Sequence, residues 1–142
     1  MSHSTDVLTG QCLCGQIAYE VNQLEPKMGH CHCTMCRKFH GSAFATFGEA
    51  KASHFRFTKG GNTLCVYEAE NGTKRSFCGT CGSSLLFESS NSDGSLVEFA
   101  LGTLDSPIAQ SPDAHIFTRY AASWYEISDG LPQFSEGRDG DA

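Results

Sequence analysis

The spacing of the cysteines constrains this chain more than any other feature of its sequence. Eight cysteines occur in 142 residues, and seven of them fall into three tight clusters. The clusters are a CxC, a CxCxxC and a CxxC, made up of Cys12 and Cys14, then Cys31, Cys33 and Cys36, then Cys78 and Cys81. Clusters this tight suit one metal ion each, whereas disulfide frameworks are typical of short secreted chains.

Length and charge limit the classes of protein to which the chain can belong. A chain of 142 residues is long enough for one core of ordinary size, so we expect one domain. The net charge is −6, with no long basic run, which argues against nucleic acid and membranes as partners. No window approaches the roughly 18 apolar residues of a transmembrane helix, and the start, MSHSTDVLTG, lacks the layout of a secretory signal. We therefore expect a soluble, cytoplasmic protein.

The segments between the clusters predict short β-strands. Ile17, Tyr19 and Val21 alternate with polar residues, HFRFTKGG alternates likewise, and LCVYEAENGTKRSFC is typical of a hairpin closed by Asn71-Gly72. Further strand candidates are SLLFES, SLVEFAL, AHIFTRY and SWYEIS. One short helix is predicted around TMCRKFHG. The sequence thus predicts a mainly β, compact single domain of several short antiparallel strands, with at most one or two short helices.

Two of the clusters can form the halves of one closed site. A strand projects residues i and i+2 to the same face, so Cys12 and Cys14 can converge on one ion if the chain bends slightly. In CGTCG the glycines permit a tight turn that brings Cys78 and Cys81 round the same metal. Four thiolates in a tetrahedron suit Zn²⁺, and such a site contributes to folding. A pair of disulfides and an iron–sulfur cluster are the alternatives for these four residues.

The remaining cluster, CHCTMC, offers three close thiolates and no obvious fourth ligand. Three protein ligands with an open position is how catalytic zinc is held, so we expect a second, catalytic Zn²⁺ on Cys31, Cys33 and Cys36. The last two lie one turn apart at the start of the predicted helix, whose backbone N–H groups favour thiolates. Arg37 and Lys38 follow directly, add positive charge and can attract an anionic substrate.

A closed second site is the alternative, with His30, His32 or Cys65 as its fourth ligand. On a strand both histidines would face away from the cysteines, and Cys65 reads as a small buried hydrophobe. A closed site would favour a non-enzymatic zinc module that binds a protein or a thiol ligand. A redox sensor that forms disulfides and releases zinc is a third interpretation.

The order of these motifs resembles that of the glutathione-dependent formaldehyde-activating (GFA) family, also called the CENP-V/GFA domain. The matching stretches are QCLCGQIAYEV, CHCTMCRKFHGSAF, FTKGG, RSFCGTCGSSL, LGTLD, and HIF with a later tryptophan. The resemblance spans roughly residues 9–127, which we take as the domain, with residues 1–8 and 128–142 as flexible or peripheral termini. It implies a β-tent fold built round zinc.

The resemblance also assigns the metal sites and a reaction. It implies a structural zinc on the CxC and CxxC cysteines and a catalytic zinc on Cys31, Cys33 and Cys36. The implied reaction is that of a carbon–sulfur lyase, which joins glutathione or a similar thiol to formaldehyde and gives S-(hydroxymethyl)glutathione. A lyase of the same family acting on another thiol adduct is the alternative. The second zinc is expected to be weakly held and partly lost on purification.

Other residues receive roles from their chemical type. Arg37 and Lys38 are candidate contacts for the carboxylates of glutathione. His40 and His115 are candidate acid–base groups, because a proton must move when the thiol adds. Trp124 is predicted to lie in the core.

Overall fold

The structure, a computed structural model, describes residues 7–138, which form ten strands and one α-helix. The strands are β1 (Leu8–Gln11), β2 (Ala18–Val21), β3 (Met28–Cys31), β4 (Ala45–Lys51), β5 (Phe55–Lys59), β6 (Leu64–Glu68), β7 (Lys74–Cys78), β8 (Ser84–Glu88), β9 (Leu96–Ala100) and β10 (Ala114–Ile116). The helix α1 spans Thr34–His40, and short 3₁₀ turns span Ala52–His54, Gly61–Thr63, Leu101–Thr103 and Thr118–Tyr120. The prediction of a mainly β fold is confirmed. Within residues 7–138, none of the helices has the length and apolar character needed to cross a bilayer.

The chain divides into two units, and one of the boundaries between them falls inside β4. The first unit comprises residues 7–26 together with Gly48–Ala109. The second comprises Lys27–Phe47 together with the chain from Gln110 onward. The CxC and CxxC cysteines belong to the first unit, and the CxCxxC cysteines belong to the second.

The core of the first unit is built on a three-stranded antiparallel sheet in the order β1-β2-β5. The predicted alternation of Ile17, Tyr19 and Val21 is confirmed, because all three side chains are buried. The Tyr19 ring stacks on Phe55, with ring centroids 4.9 Å apart. It also lies directly against Gly10 in β1, where an added Cβ would be 2.4 Å from the ring. Only glycine leaves room for this tyrosine, since a carbon atom cannot approach another so closely.

The same unit contains a meander in which β9, β8, β7 and β6 pair as antiparallel neighbours. The predicted β6–β7 hairpin is confirmed, and its loop contains Gly72 at φ 90° and an Asn71 side chain that accepts from the Thr73 N–H. The prediction that Cys65 is buried is wrong, because its side chain is exposed. It lies on β6, the edge strand of this sheet, where four of the five residues are exposed.

The second unit places β10 parallel to β3, with His115 opposite His30. Helix α1 follows β3 and confirms the short helix predicted around TMCRKFHG. It begins after an N-cap formed by Cys33 and is followed by Gly41, which lies in the left-handed region. The predicted domain ends at residue 127, but later residues hydrogen-bond to β10. The His115 N–H donates to the Pro132 carbonyl. The boundaries of the domain and its termini stay predictions, and residues 1–6 and 139–142 lie outside the described part.

Two predictions for the second unit are wrong. SWYEIS, predicted as a strand, forms a turn and irregular backbone in residues 123–128. Trp124, predicted in the core, is 68% exposed, and the neighbouring Tyr125 is 42% exposed. Two adjacent aromatic residues point to opposite faces of a strand, so this segment could bury only one of them against a core. The structure buries neither.

Burial also creates a site of pH-dependent stability in the first unit. Burial, with a smaller contribution from the charge of Glu49, raises the pKa of Glu98 to about 7. The folded protein therefore binds this proton more tightly than the unfolded chain, so stability falls as the pH rises from about 4.5 to 7 and stays lower above that range. We expect Glu98→Gln to raise the melting temperature at pH 8 and to lose this advantage at pH 4.5.

Thermal unfolding of both proteins between pH 4 and 8 checks this expectation. Glu88→Gln is the matched control, because Glu88 is exposed at the end of the neighbouring strand β8. A pH-independent difference between Glu98→Gln and the native protein would contradict it.

Candidate metal centres

The first cluster joins two tight turns of the first unit. Cys12 and Cys14 follow β1 in a turn closed by a 3.0 Å bond from the Gly15 N–H to the Cys12 carbonyl. Cys78 ends β7, and the Gly82 N–H closes the next turn on the Cys78 carbonyl at 2.8 Å. The ligand atoms of Cys12, Cys14, Cys78 and Cys81 all lie within 4.8 Å of one another. The structure thus brings together the four residues that the sequence pairs.

The distances within this cluster fit a tetrahedral metal ion. The Sγ atom of Cys14 lies 3.7 Å from that of Cys12 and 3.8 Å from that of Cys78. Four sulfurs at about 2.3 Å from a central Zn²⁺ would be about 3.8 Å apart. These separations far exceed the bond length of about 2.05 Å in a disulfide, and all eight cysteines are free. The four cysteines could therefore hold one metal ion.

Backbone N–H groups surround the sulfurs of the first cluster. The Ile17 N–H donates to Cys12 Sγ, and the Thr80 and Cys81 N–H groups both donate to Cys78 Sγ, each at 3.4 Å. Hydrogen bonds with the hydroxyl and backbone of Ser83 lower the pKa of Cys81 to about 5. Such donors favour the thiolate, which is the form that binds metal.

The second cluster lies where β3 passes into α1. Cys31 is the last residue of β3, Cys33 is the N-cap of the helix and Cys36 is in its first turn. The Cys36 N–H donates to Cys33 Sγ at 3.2 Å, and the three sulfurs lie within 4.8 Å of one another. Hydrogen bonds with the other two thiols, and then burial, raise the pKa of Cys31. A bound cation would remove this barrier to ionisation, so the three cysteines could hold a metal ion.

The alternative fourth ligands do not belong to this cluster. In the described part of the chain, the group of close ligand atoms that contains Cys31 has only three members. His30 Nδ1 is hydrogen-bonded to Thr46 Oγ1 at 2.8 Å, and His32 Nε2 is hydrogen-bonded to His115 Nδ1 at 2.8 Å. Cys65 Sγ lies instead 2.7 Å from the position that a Cβ atom on Gly79 would occupy. Gly79 is part of the turn between Cys78 and Cys81.

Comparison with known proteins identifies the family to which this chain belongs. The profile of the glutathione-dependent formaldehyde-activating enzymes, GFA, matches residues 7–120. The chain belongs to the GFA family. An uncharacterized lyase of Schizosaccharomyces pombe is 30% identical over 82 residues, and the match covers 58% of each chain. A crystal structure of a Rhodobacter sphaeroides protein matches with a TM-score of 0.59 and 26% identity, over 71% of this chain and 91% of the other.

These likenesses confirm the predicted family. The match to the yeast relative covers less than two thirds of either chain, so the activity of that whole protein is not transferred. The metal-ligand roles of individual cysteines remain proposals, supported by the sulfur geometry.

A chain of three polar side chains lies beside the second cluster and was only partly visible in the sequence. His115 Nδ1 is 2.8 Å from His32 Nε2, and His115 Nε2 is 2.8 Å from Asp129 Oδ2. Residue type alone suggests His115, and nothing in the sequence indicates Asp129, because these contacts join residues 83 and 14 positions apart. Burial, and then the nearby His115, lower the pKa of His32 to about 4, so this ring is neutral at pH 7.

The group His30, His115 and Asp129 also has ligand atoms within 4.8 Å, but its geometry is that of hydrogen bonding. Both ring nitrogens of His115 are already bonded, one to His32 and one to the carboxylate. A metal ion would have to break the 2.8 Å bond to Asp129 in order to reach Nε2. His40, the other candidate acid–base group, packs its ring against Phe47 at the end of α1.

The two basic residues after the second cluster differ in their surroundings. Arg37 is half-buried, and its Nη1 donates to the Tyr120 carbonyl at 3.0 Å. Lys38 is exposed. Arg37 therefore connects α1 to the 3₁₀ turn Thr118–Tyr120. The predicted contacts of Arg37 and Lys38 with a substrate stay predictions.

We expect Cys78→Ser to unfold or aggregate the GFA protein, because it opens a site that ties together turns 64 residues apart. Zinc content and thermal unfolding, each with and without a chelator, measure the effect. Cys65→Ser is the matched control, since Cys65 is exposed and outside both clusters. A Cys78→Ser protein with native zinc content and native melting would contradict the structural role of the first cluster.

Proposed function

We propose that this protein is a zinc-dependent carbon–sulfur lyase that joins glutathione, or a similar thiol, to formaldehyde. The observation that carries the proposal is the convergence of the Cys31, Cys33 and Cys36 sulfurs within 4.8 Å, with no fourth member in the described part of the chain. Three protein ligands with one open position is how catalytic zinc is held. Membership of the GFA family supports these substrates, because its description names glutathione and formaldehyde.

The proposed reaction is addition of the thiol across the carbonyl group. A carbon–sulfur bond forms, the carbonyl double bond becomes a carbon–oxygen single bond, and the thiol proton ends on the oxygen. No oxidant or reductant is needed. Zinc held by Cys31, Cys33 and Cys36 would supply Lewis acidity, which lowers the pKa of a thiol or polarises an aldehyde oxygen.

The chain's own residues would position the reactants. Cys31 and Cys36 are buried, so the cluster has little contact with water on their side, whereas Cys33 is partly exposed and marks the open side. Lys38 is exposed one turn along the same helix and is our candidate for a carboxylate of glutathione. Arg37, with one nitrogen on the Tyr120 carbonyl, would hold the adjoining turn and add positive charge.

We assign a structural zinc to the first cluster on the same reasoning. Its four sulfurs leave no open position, and the 3.7 and 3.8 Å separations are those of a tetrahedral thiolate site. A closed site of this kind stabilises the fold and takes no substrate. The first cluster would thus stabilise the fold, and the second cluster would take part in the reaction.

We expect Cys36→Ser to remain folded, to bind zinc more weakly at the second cluster and to lose at least tenfold in activity. The assay is NMR measurement of the exchange between formaldehyde and its glutathione adduct, with a sample lacking protein because the addition also proceeds uncatalysed. Cys65→Ser, which removes a cysteine outside both clusters, should keep the native rate. Full activity in Cys36→Ser would remove the catalytic assignment.

We expect glutathione to change the absorption spectrum of the cobalt-substituted second cluster, because a substrate thiol would enter the open position. The titration should be repeated with 2-mercaptoethanol, which has the thiol and lacks the carboxylates. A response to both thiols at equal concentrations would indicate that the protein does not recognise the carboxylates of glutathione. An unchanged spectrum at saturating glutathione would exclude direct coordination of this thiol.

A further inference from the structure

A line of hydrogen bonds runs from the surface of the second unit to the backbone between two of its cysteines. The carboxylate of Asp129 is 44% exposed, whereas His115 is 1% exposed and His32 is fully buried. Two bonds of 2.8 Å connect the three side chains in that order. Because His32 lies between Cys31 and Cys33 in the sequence, the line ends within the second cluster's own segment.

The chemistry of the partners fixes where each proton lies. An ionised carboxylate can only accept, so His115 Nε2 carries a hydrogen and donates to Asp129. With its single hydrogen on Nε2, the ring has a bare Nδ1, which accepts from the Nε2–H of His32. This leaves Nδ1 of His32 as a bare acceptor, and that atom is buried with no partner in the described part of the chain.

The reverse arrangement is less favourable. If His115 donated through Nδ1, His32 would carry its hydrogen on Nδ1, where a buried donor would have no acceptor. Buried N–H groups without a partner are rarer than acceptors without one, because the lost hydrogen bond destabilises the folded state. The buried, unpartnered nitrogen therefore agrees with the order of donors that Asp129 imposes.

We infer that Asp129 is a positioning residue for the second cluster, which it orients through His115 and His32. His32 is held at two points, since its backbone N–H also donates to the Ile116 carbonyl at 3.0 Å. Fixing both the ring and the backbone of His32 fixes the segment that places Cys31 and Cys33. The inference rests on the proposed function in one respect, namely that this cluster binds a metal ion.

The local geometry at Asp129 makes Asp129→Asn a sharp test. Asp129 Oδ1 accepts from the Leu131 N–H at 3.1 Å, and Oδ2 accepts from His115. In the variant the amide oxygen would keep the Leu131 bond, so the NH₂ group would face His115 Nε2. His115 must then accept at Nε2 and donate from Nδ1, which forces the hydrogen of His32 onto Nδ1 as well.

The imidazole ¹⁵N chemical shifts of metal-free and cobalt-loaded protein report these tautomers. We expect Nε2–H on His32 and His115 in the native protein and Nδ1–H on both in Asp129→Asn. We also expect the cobalt affinity of the second cluster, measured by competition with a chromophoric chelator, to fall by about tenfold or more. Asp113→Asn is the matched control, because Asp113 lies directly before β10 and its carboxylate bonds to Arg138. It should change neither readout.

Three results would contradict the positioning role of Asp129. An Nδ1–H tautomer at either histidine of the native protein would overturn it without any variant. Unchanged cobalt affinity in Asp129→Asn would also overturn it, and an unfolded Asp129→Asn would show that Asp129 serves folding instead of positioning. These readouts need no turnover. A native protein with the expected tautomers and affinities but no acceleration of adduct exchange would refute the proposed function alone.

Discussion

The structure depends on the convergence of thiol groups supplied by distant parts of the chain. Cys14 and Cys78 are 64 residues apart in sequence, yet their sulfurs lie 3.8 Å from each other. Ionised sulfurs at this distance repel, and the burial of Cys78 adds to the cost of its charge. A cation of matching size removes both costs at once. A bound ion would therefore stabilise the turns that carry these cysteines, and the four sulfurs lie close enough together to receive one.

The features that were predictable are those with a local signal. The β6–β7 hairpin follows from Asn71-Gly72 between two apolar runs, and α1 forms in the short segment TMCRKFHG that was predicted as the helix. The errors come from tertiary context. Cys65 lies in a strand-forming sequence, but only the sheet order shows that β6 is an edge, and the aromatic residues of SWYEIS find no core to enter.

The candidate sites divide in the same way. The three cysteine motifs could be read from the sequence, because the members of each motif lie two or three positions apart, and the CxC and CxxC motifs together make a set of four. The role we infer for Asp129 could not, since nothing near it in sequence marks it, and its effect passes through His115 on another segment. Residue type suggests His115, but only the structure shows that one of its ring nitrogens is hydrogen-bonded to His32 and the other to Asp129.

The N-cap of α1 has a consequence for how the second cluster fills. Cys33 Sγ accepts from the Cys36 N–H and so begins a helix of seven residues, a length that is unstable in isolation. The sulfur that would bind the ion is thus also the atom that starts the helix. Metal loading and formation of the first helical turn would then be one cooperative event. Oxidation of this single sulfur would both release the ion and fray the segment that carries Arg37 and Lys38.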